Sequence, residues 1–319
     1  MSVTDYIDWS CKHDILLKNP DGTYSPMDEP YFRSEKVCDG VWKILSAGDH
    51  SYLVEGDREA ISIDTGYGAG NIRQYLQTLT DKPVENVINT HDHFDHTANN
   101  AYFEKAYMSR PALPLSTIPY PSFAGIDFPQ NYPRVLVEDG DVIDLGGRTL
   151  EIFAIPDHTP SGIAMLDRKG RIFFTGDELM DMPMGKKLNV GLTTFRGYLL
   201  RMEEHRSEFD LLCAGEGVRD ASLVDRYLEC VEYILAGHEG EEFNPGAGKP
   251  PKGGPQGGAG IQFHQTEYVD GKMVYDRIFP HPGDGGPGKG KPVSQGNTQM
   301  RRMYHADIQI IYDALRVNE

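Results

Sequence analysis

Cysteine is scarce: Cys11, Cys38, Cys213 and Cys230 are the four in 319 residues, and no two of them form a CxxC pair. That spacing excludes a thiolate zinc site and a disulfide framework and leaves reduced, structural thiols. Basic residues are also in short supply, 31 Lys plus Arg against 48 Asp plus Glu, for a formal charge of −17. A chain so acidic repels a phosphate backbone, so nucleic acid is not an expected partner. No apolar run approaches the length needed to span a bilayer. The opening MSVTDYIDWSCKHD lacks the basic start and apolar stretch of a signal peptide. The reading is a cytoplasmic protein without a membrane partner.

What is present is ordinary globular composition, 39% hydrophobic and 25% charged, which argues against wholesale disorder or a fibrous repeat. The length suits one large domain or two ordinary ones. From Val41 the runs VWKIL, SYLVEG and AISID alternate as strands between Gly-Asp turns. NIRQYLQTL follows with Ile72, Tyr75, Leu76 and Leu79 at helical spacing. VENVINT is then a short β-branched strand ending at His91. RVLVEDGDVIDL, TLEIFAIP, GIAMLDRKG and RIFFTGD give a second set of strands, followed by helices from about Thr194 to Arg206 and over Tyr227 to Leu235. The order strands, helix, strands, helix thus occurs twice.

Residues 111–134 are rich in proline and aromatics, including Tyr120, Phe123, Phe128 and Tyr132. They form a lid or pocket wall for an apolar substrate, or simply pack as a loop. Residues 244–260 and 282–292 read as Gly/Pro linkers. Between them, alternation on either side of Asp270-Gly271 predicts a hairpin. RRMYHADIQIIYDAL reads as an amphipathic closing helix. The expected organisation is therefore a catalytic domain over 1–240, with an N-terminal extension, and an appendage over 241–319. The closing helix would mediate homo-oligomerisation or cover its own subunit's core.

The chemistry concentrates in His91-Asp92-His93-Phe94-Asp95-His96. In extended or looped backbone residues two apart project the same way, so His91, His93 and Asp95 converge and His96 turns aside. Three imidazoles and a carboxylate suit zinc and also iron or manganese. Gly66, Gly68 and Gly70 are explained by a strand-to-helix turn better than by a phosphate loop. His50, His264 and Tyr268 are expected in structural roles.

The HxHxDH run resembles that of the metallo-β-lactamase superfamily. Downstream, Pro156-Asp157-His158-Thr159-Pro160-Ser161-Gly162 is similar to the family's PGHTPG segment, and Phe174-Thr175-Gly176-Asp177 to its bridging aspartate. Asp64 in Ile63-Asp64-Thr65-Gly66 matches an aspartate that supports the ligands. The resemblance covers roughly residues 40–235 and implies an αββα sandwich of two mixed sheets flanked by helices. It also implies two divalent metal ions, zinc favoured, with manganese or iron as alternatives. His91, His93 and His158 would hold one, Asp95 and His96 the other, and Asp177 would bridge. Where many relatives carry a final histidine this chain has Glu216, which either coordinates and hardens the site or leaves the second site weak.

The activity so implied is hydrolysis of an ester, lactone, thioester or amide bond in a small molecule. A metal-bound hydroxide would attack, and Asp95 would bind metal and relay a proton. A mononuclear-iron dioxygenase and a non-catalytic binding protein with a degraded second site are the competing readings.

Overall fold

The structure is a computed structural model and describes residues 15–18, 21–26, 32–46, 49–66, 71–114, 131–181, 185–243, 265–276 and 298–319. Expectations for the bulk of the 111–134 segment, for both Gly/Pro stretches and for Gly68, Gly70 and His264 lie outside these residues, as does the side chain of Tyr268.

Alternating side chains on two sheets build four layers. The first sheet has seven strands in the order Arg33–Cys38, Val41–Ser46, Asp49–Glu55, Ala60–Ile63, Val84–Ile88, Lys105–Ser109 and Arg134–Val137. Its first four strands pair antiparallel and the rest parallel. The second has six, Val142–Asp144, Thr149–Ala154, Ile163–Asp167, Ile172–Gly176, Leu211–Ala214 and Gly217–Asp220. Tyr52, Val54, Ile61 and Ile63 from the first sheet meet Ile152, Met165, Ile172 and Phe174 from the second in one buried cluster. Residues one step along the same strands face outward. Leu53 and Val87 pack with Ile72 and Leu76 of the helix Ile72–Gln77. Phe153 and Phe173 pack with Phe195 and Tyr227 of the helices Leu192–Glu204 and Ser222–Leu235. A period of two along each strand, with both faces apolar, forces sheet against sheet and helices outside. This is the αββα architecture.

The predicted closing helix is instead a hairpin, Met300–His305 paired antiparallel with Ile308–Asp313. Ala306 and Asp307 both adopt positive φ, 54° and 57°, as a two-residue turn matched to strand twist requires. Ile308, Ile310 and Tyr312 then fall two apart and enter the same core cluster as the helix Ser222–Leu235. Ile310 and Ile311 also pair in parallel with Lys186–Lys187, so the hairpin is stitched to the chain beside the site. The hairpin expected at Asp270-Gly271 is present, Gln265–Val269 against Lys272–Asp276, with both turn residues at positive φ. Tyr132 is buried in the core and its hydroxyl accepts from Asn100 Nδ2, which is loop packing. Among the described residues no helix is long and apolar enough to cross a membrane.

Candidate metal centre

Four chain segments reach the same edge of the two sheets. Asp64, His91, His158 and Asp177 each follow shortly after the carboxyl end of a strand, the edge where α/β sheets gather ligands. His91, His93, His158 and Asp177 bring one ligand atom each to within 4.8 Å of one another. A second group meeting the same limit is Asp49, Asp95 and His96. Asp177 touches both, with Oδ2 3.5 Å from His158 Nε2 and Oδ1 3.5 Å from His96 Nε2.

The local backbone explains this division. His91 and His93 do converge, with ring centroids 4.6 Å apart. Phe94–Thr97 then winds into a helical turn with His93 at its N-cap. This rotates Asp95 away from His91 and His93, and turns His96 inward where extended backbone would have turned it aside.

Hydrogen bonds fix which nitrogen each ring presents. Asp64, at φ 59°, accepts Thr90 N on Oδ1 and both Thr90 Oγ1 and His96 Nδ1 on Oδ2, each at 2.8 Å. The single Thr90 hydroxyl proton is thereby committed, so Thr90 Oγ1 accepts from His91 Nδ1 at 3.0 Å. Both rings are left with a bare Nε2 facing inward. His158 Nε2 lies 3.0 Å from His93 Nδ1. Its backbone N–H donates to Glu178 Oε2 at 2.7 Å, and Asp157 pairs with Lys186 Nζ at 2.8 Å. Ser161 Oγ donates to Asp92 Oδ1, tying the His158 loop to the His91 loop.

The residues fit a cation. His91 Nε2, His96 Nε2, Asp95 Oδ1 and Asp177 Oδ1 are buried without a hydrogen-bond partner, a costly state unless another group engages them. Burial, reinforced by the surrounding imidazoles, pushes His91 well below the ordinary histidine range. Burial likewise pushes His158 down to about 3. Both rings are therefore neutral, the form in which imidazole donates a lone pair. Burial also opposes charge on His96, but Asp177, Asp64 and Asp95 outweigh it and raise that ring well above its usual range. The carboxylates thus make this end of the site negative, so that it draws a positive charge to it.

Glu216 stands apart from both groups. Its Oε1 accepts Asp181 N at 2.6 Å and pairs with Arg219 Nε at 3.2 Å. The loop that carries it is pinned from below, since the His50 backbone N–H and ring Nδ1 both donate to Gly215 O, at 2.9 and 3.0 Å. His50 thus has the structural role expected of it. Three residues escaped sequence reasoning. Asp49 precedes Asp95 by most of a sheet, while Glu178 and Lys186 act on His158 only through tertiary contacts. Glu178 adjoins Asp177, the one cue a sequence offers.

The model of the metallo-beta-lactamase superfamily matches residues 48–210, more than half of the chain. The acyl-coenzyme A thioesterase MBLAC2 of Homo sapiens is 27% identical over 245 residues, covering 65% of this chain and 81% of that protein. Hydroxyacylglutathione hydrolase of Rhodopseudomonas palustris is 28% identical over 133 residues, covering 42% and 49% respectively. Among solved structures, a metallo-beta-lactamase from Pontibacter korlensis is 19% identical with a TM-score of 0.50, covering 63% of this chain and 99% of that one. With the strand order and the histidine-aspartate cluster, these matches establish that the chain belongs to the metallo-beta-lactamase superfamily.

Proposed function

We propose that this protein is a metal-dependent hydrolase that cleaves a thioester bond in a small molecule. The observation that carries the reading is the convergence of His91, His93, His158 and Asp177 within 4.8 Å, with His91 Nε2 and Asp177 Oδ1 buried and engaged by no protein donor. His91, His93, His158 and Asp177 would hold a first ion. Asp95 and His96, with Asp177 shared, would hold a second. Zinc suits the imidazole-rich group. A divalent ion in this setting supplies Lewis acidity and brings the pKa of a coordinated water toward neutrality.

The chain's own residues do the rest. Thr90 and Asp64 keep His91 and His96 in the tautomer that faces the site, by the hydrogen bonds at 2.8 to 3.0 Å. The Asp95 carboxylate takes the proton that the attacking water loses as its oxygen bonds to the thioester carbon. As the carbon–sulfur bond breaks, that proton passes to the departing sulfur, and an acid and a thiol leave. The thioester class is supported by the two relatives, an acyl-coenzyme A thioesterase and a hydroxyacylglutathione hydrolase.

The test is steady-state hydrolysis of short and medium acyl-coenzyme A and S-acyl glutathione substrates, followed by release of free thiol. Wild type is expected to turn over one of these series, and His93→Ala and Asp177→Ala are expected to lose that turnover while remaining folded. Undiminished hydrolysis by both variants would overturn the assignment.

A further inference from the structure

The residue that completes the second half of the site is not the one its loop would suggest. Glu216, in the loop after Leu211–Ala214, spends Oε1 on Asp181 N and Arg219 Nε, and it belongs to neither ligand group. Asp49 does belong, with one carboxylate oxygen within 4.8 Å of ligand atoms on both Asp95 and His96. It opens the strand Asp49–Glu55, whose alternation places Asp49, Ser51 and Leu53 on one face. Leu53 on that face packs in the helix-side core, and the strand lies in contact with the turn Phe94–Thr97 that carries Asp95 and His96. The next residue, His50, points the other way and grips Gly215. The same strand therefore ties back the loop bearing Glu216 and presents Asp49 in its stead.

Acidic side chains often cluster on surfaces without binding anything, but this cluster is interior. Asp49 is 5% exposed, Asp95 3% and His96 0%, and no arginine or lysine pairs with Asp49 or Asp95 among the described residues. Asp49 and Asp95 bring carboxylate oxygens within 4.8 Å of each other and of His96, beside His96 Nε2 and Asp177 Oδ1, both buried without a hydrogen-bond partner. Burying carboxylates together with no lysine or arginine to offset them is strongly unfavourable. A divalent cation resolves both the repulsion and the unpartnered atoms.

We infer that Asp49 is a ligand of the second ion, making that half of the centre a three-carboxylate, one-histidine site formed by Asp49, Asp95, Asp177 and His96, with Glu216 outside it. The centre is then asymmetric. The first group offers three imidazoles and one carboxylate and suits zinc, whereas the second is oxygen-rich and suits a harder ion such as manganese or iron(II). This inference rests on the metal-dependent reading proposed above and extends it.

The experiment counts ions per chain, by elemental analysis and native mass spectrometry, after loading with zinc alone, manganese alone or both. Wild type is expected to bind two ions, with manganese competing for the second position far better than for the first. Asp49→Asn should retain one ion, the tighter zinc, and Glu216→Gln should retain two. If Asp49→Asn fails to fold, Asp49→His takes its place: it should keep two ions and shift the second position toward zinc. An Asp49→His variant with unchanged preference would overturn the inference. Two ions in Asp49→Asn with one in Glu216→Gln would also overturn it while leaving the hydrolase reading intact, and so would a single ion in wild type. A wild-type chain that takes up no ion would remove the metal-dependent reading itself.

Discussion

Lys186 Nζ lies 2.8 Å from Asp157 Oδ2, and both side chains are buried. The other Asp157 oxygen accepts the backbone N–H groups of Asn189 and Val190 at 2.8 and 3.0 Å. Through this pair the strand Lys186–Lys187, itself paired to the C-terminal hairpin, fixes the backbone that carries His158. Removing one partner of a buried ion pair leaves the other charge uncompensated and costs about 3–5 kcal/mol. Lys186→Met is therefore expected to lower unfolding free energy by about that much in urea titration of metal-free protein. It is also expected to weaken metal binding on the order of 10–100-fold, the usual effect of disturbing a residue that orients a ligand. A variant as stable as wild type with unaltered metal affinity would show that the pair does not hold His158.

A second buried pair gives the contrasting case. Arg148 Nε sits 3.0 Å from Asp167 Oδ2, and its remaining nitrogens donate to Gly40 O, Glu55 O and Asp39 O across to the first sheet. None of these groups lies in either ligand cluster. Arg148→Met should cost about 3–5 kcal/mol of stability with the number of bound metal ions unchanged. Loss of metal at temperatures where the variant remains folded would contradict this separation of fold from site.

The turn Ala306-Asp307 offers a test by sign. Both residues sit at positive φ, where a side chain costs roughly 1 kcal/mol relative to glycine. Ala306→Gly is therefore expected to raise the melting temperature. The same substitution in a helix interior would lower stability by about 1 kcal/mol, so a lower melting temperature would favour the helix that the sequence suggested.

That contrast shows where the sequence was legible. Strands such as Ile172–Gly176 and Asp49–Glu55 declare themselves as short apolar runs bounded by turn residues, and the His91 to His96 run carries its chemistry in its spacing. The C-terminal hairpin did not, because its turn lacks the Asn-Gly or Asp-Gly pair that marks such turns. Asp95 and His96 were partly misread because a single helical turn begins at Phe94 and changes the direction of every side chain after it. Asp49, Glu178 and Lys186 were invisible for another reason. Their roles arise from sheet register and crossover, which place distant segments together and leave no local pattern.

Gly176 connects fold and site most tightly. Its φ is 51°, and a Cβ there would overlap the Thr90 side chain that relays His91 to Asp64. Gly176→Ala is expected to fold with reduced stability and to bind metal on the order of 10–100-fold more weakly in competition with a chromophoric chelator. Wild-type affinity in this variant would mean that the Thr90 relay does not set the orientation of His91.

In the proposed function, His91, His93, His158 and Asp177 hold an ion on which thioester hydrolysis depends. Its most direct test is to strip the purified chain of metal with a chelator, remove the chelator, and follow thiol release from acyl-coenzyme A before and after stoichiometric zinc or manganese is restored. Hydrolysis is expected to vanish in the stripped protein and to return with the ion. Full hydrolysis by stripped protein containing no metal by elemental analysis would contradict it.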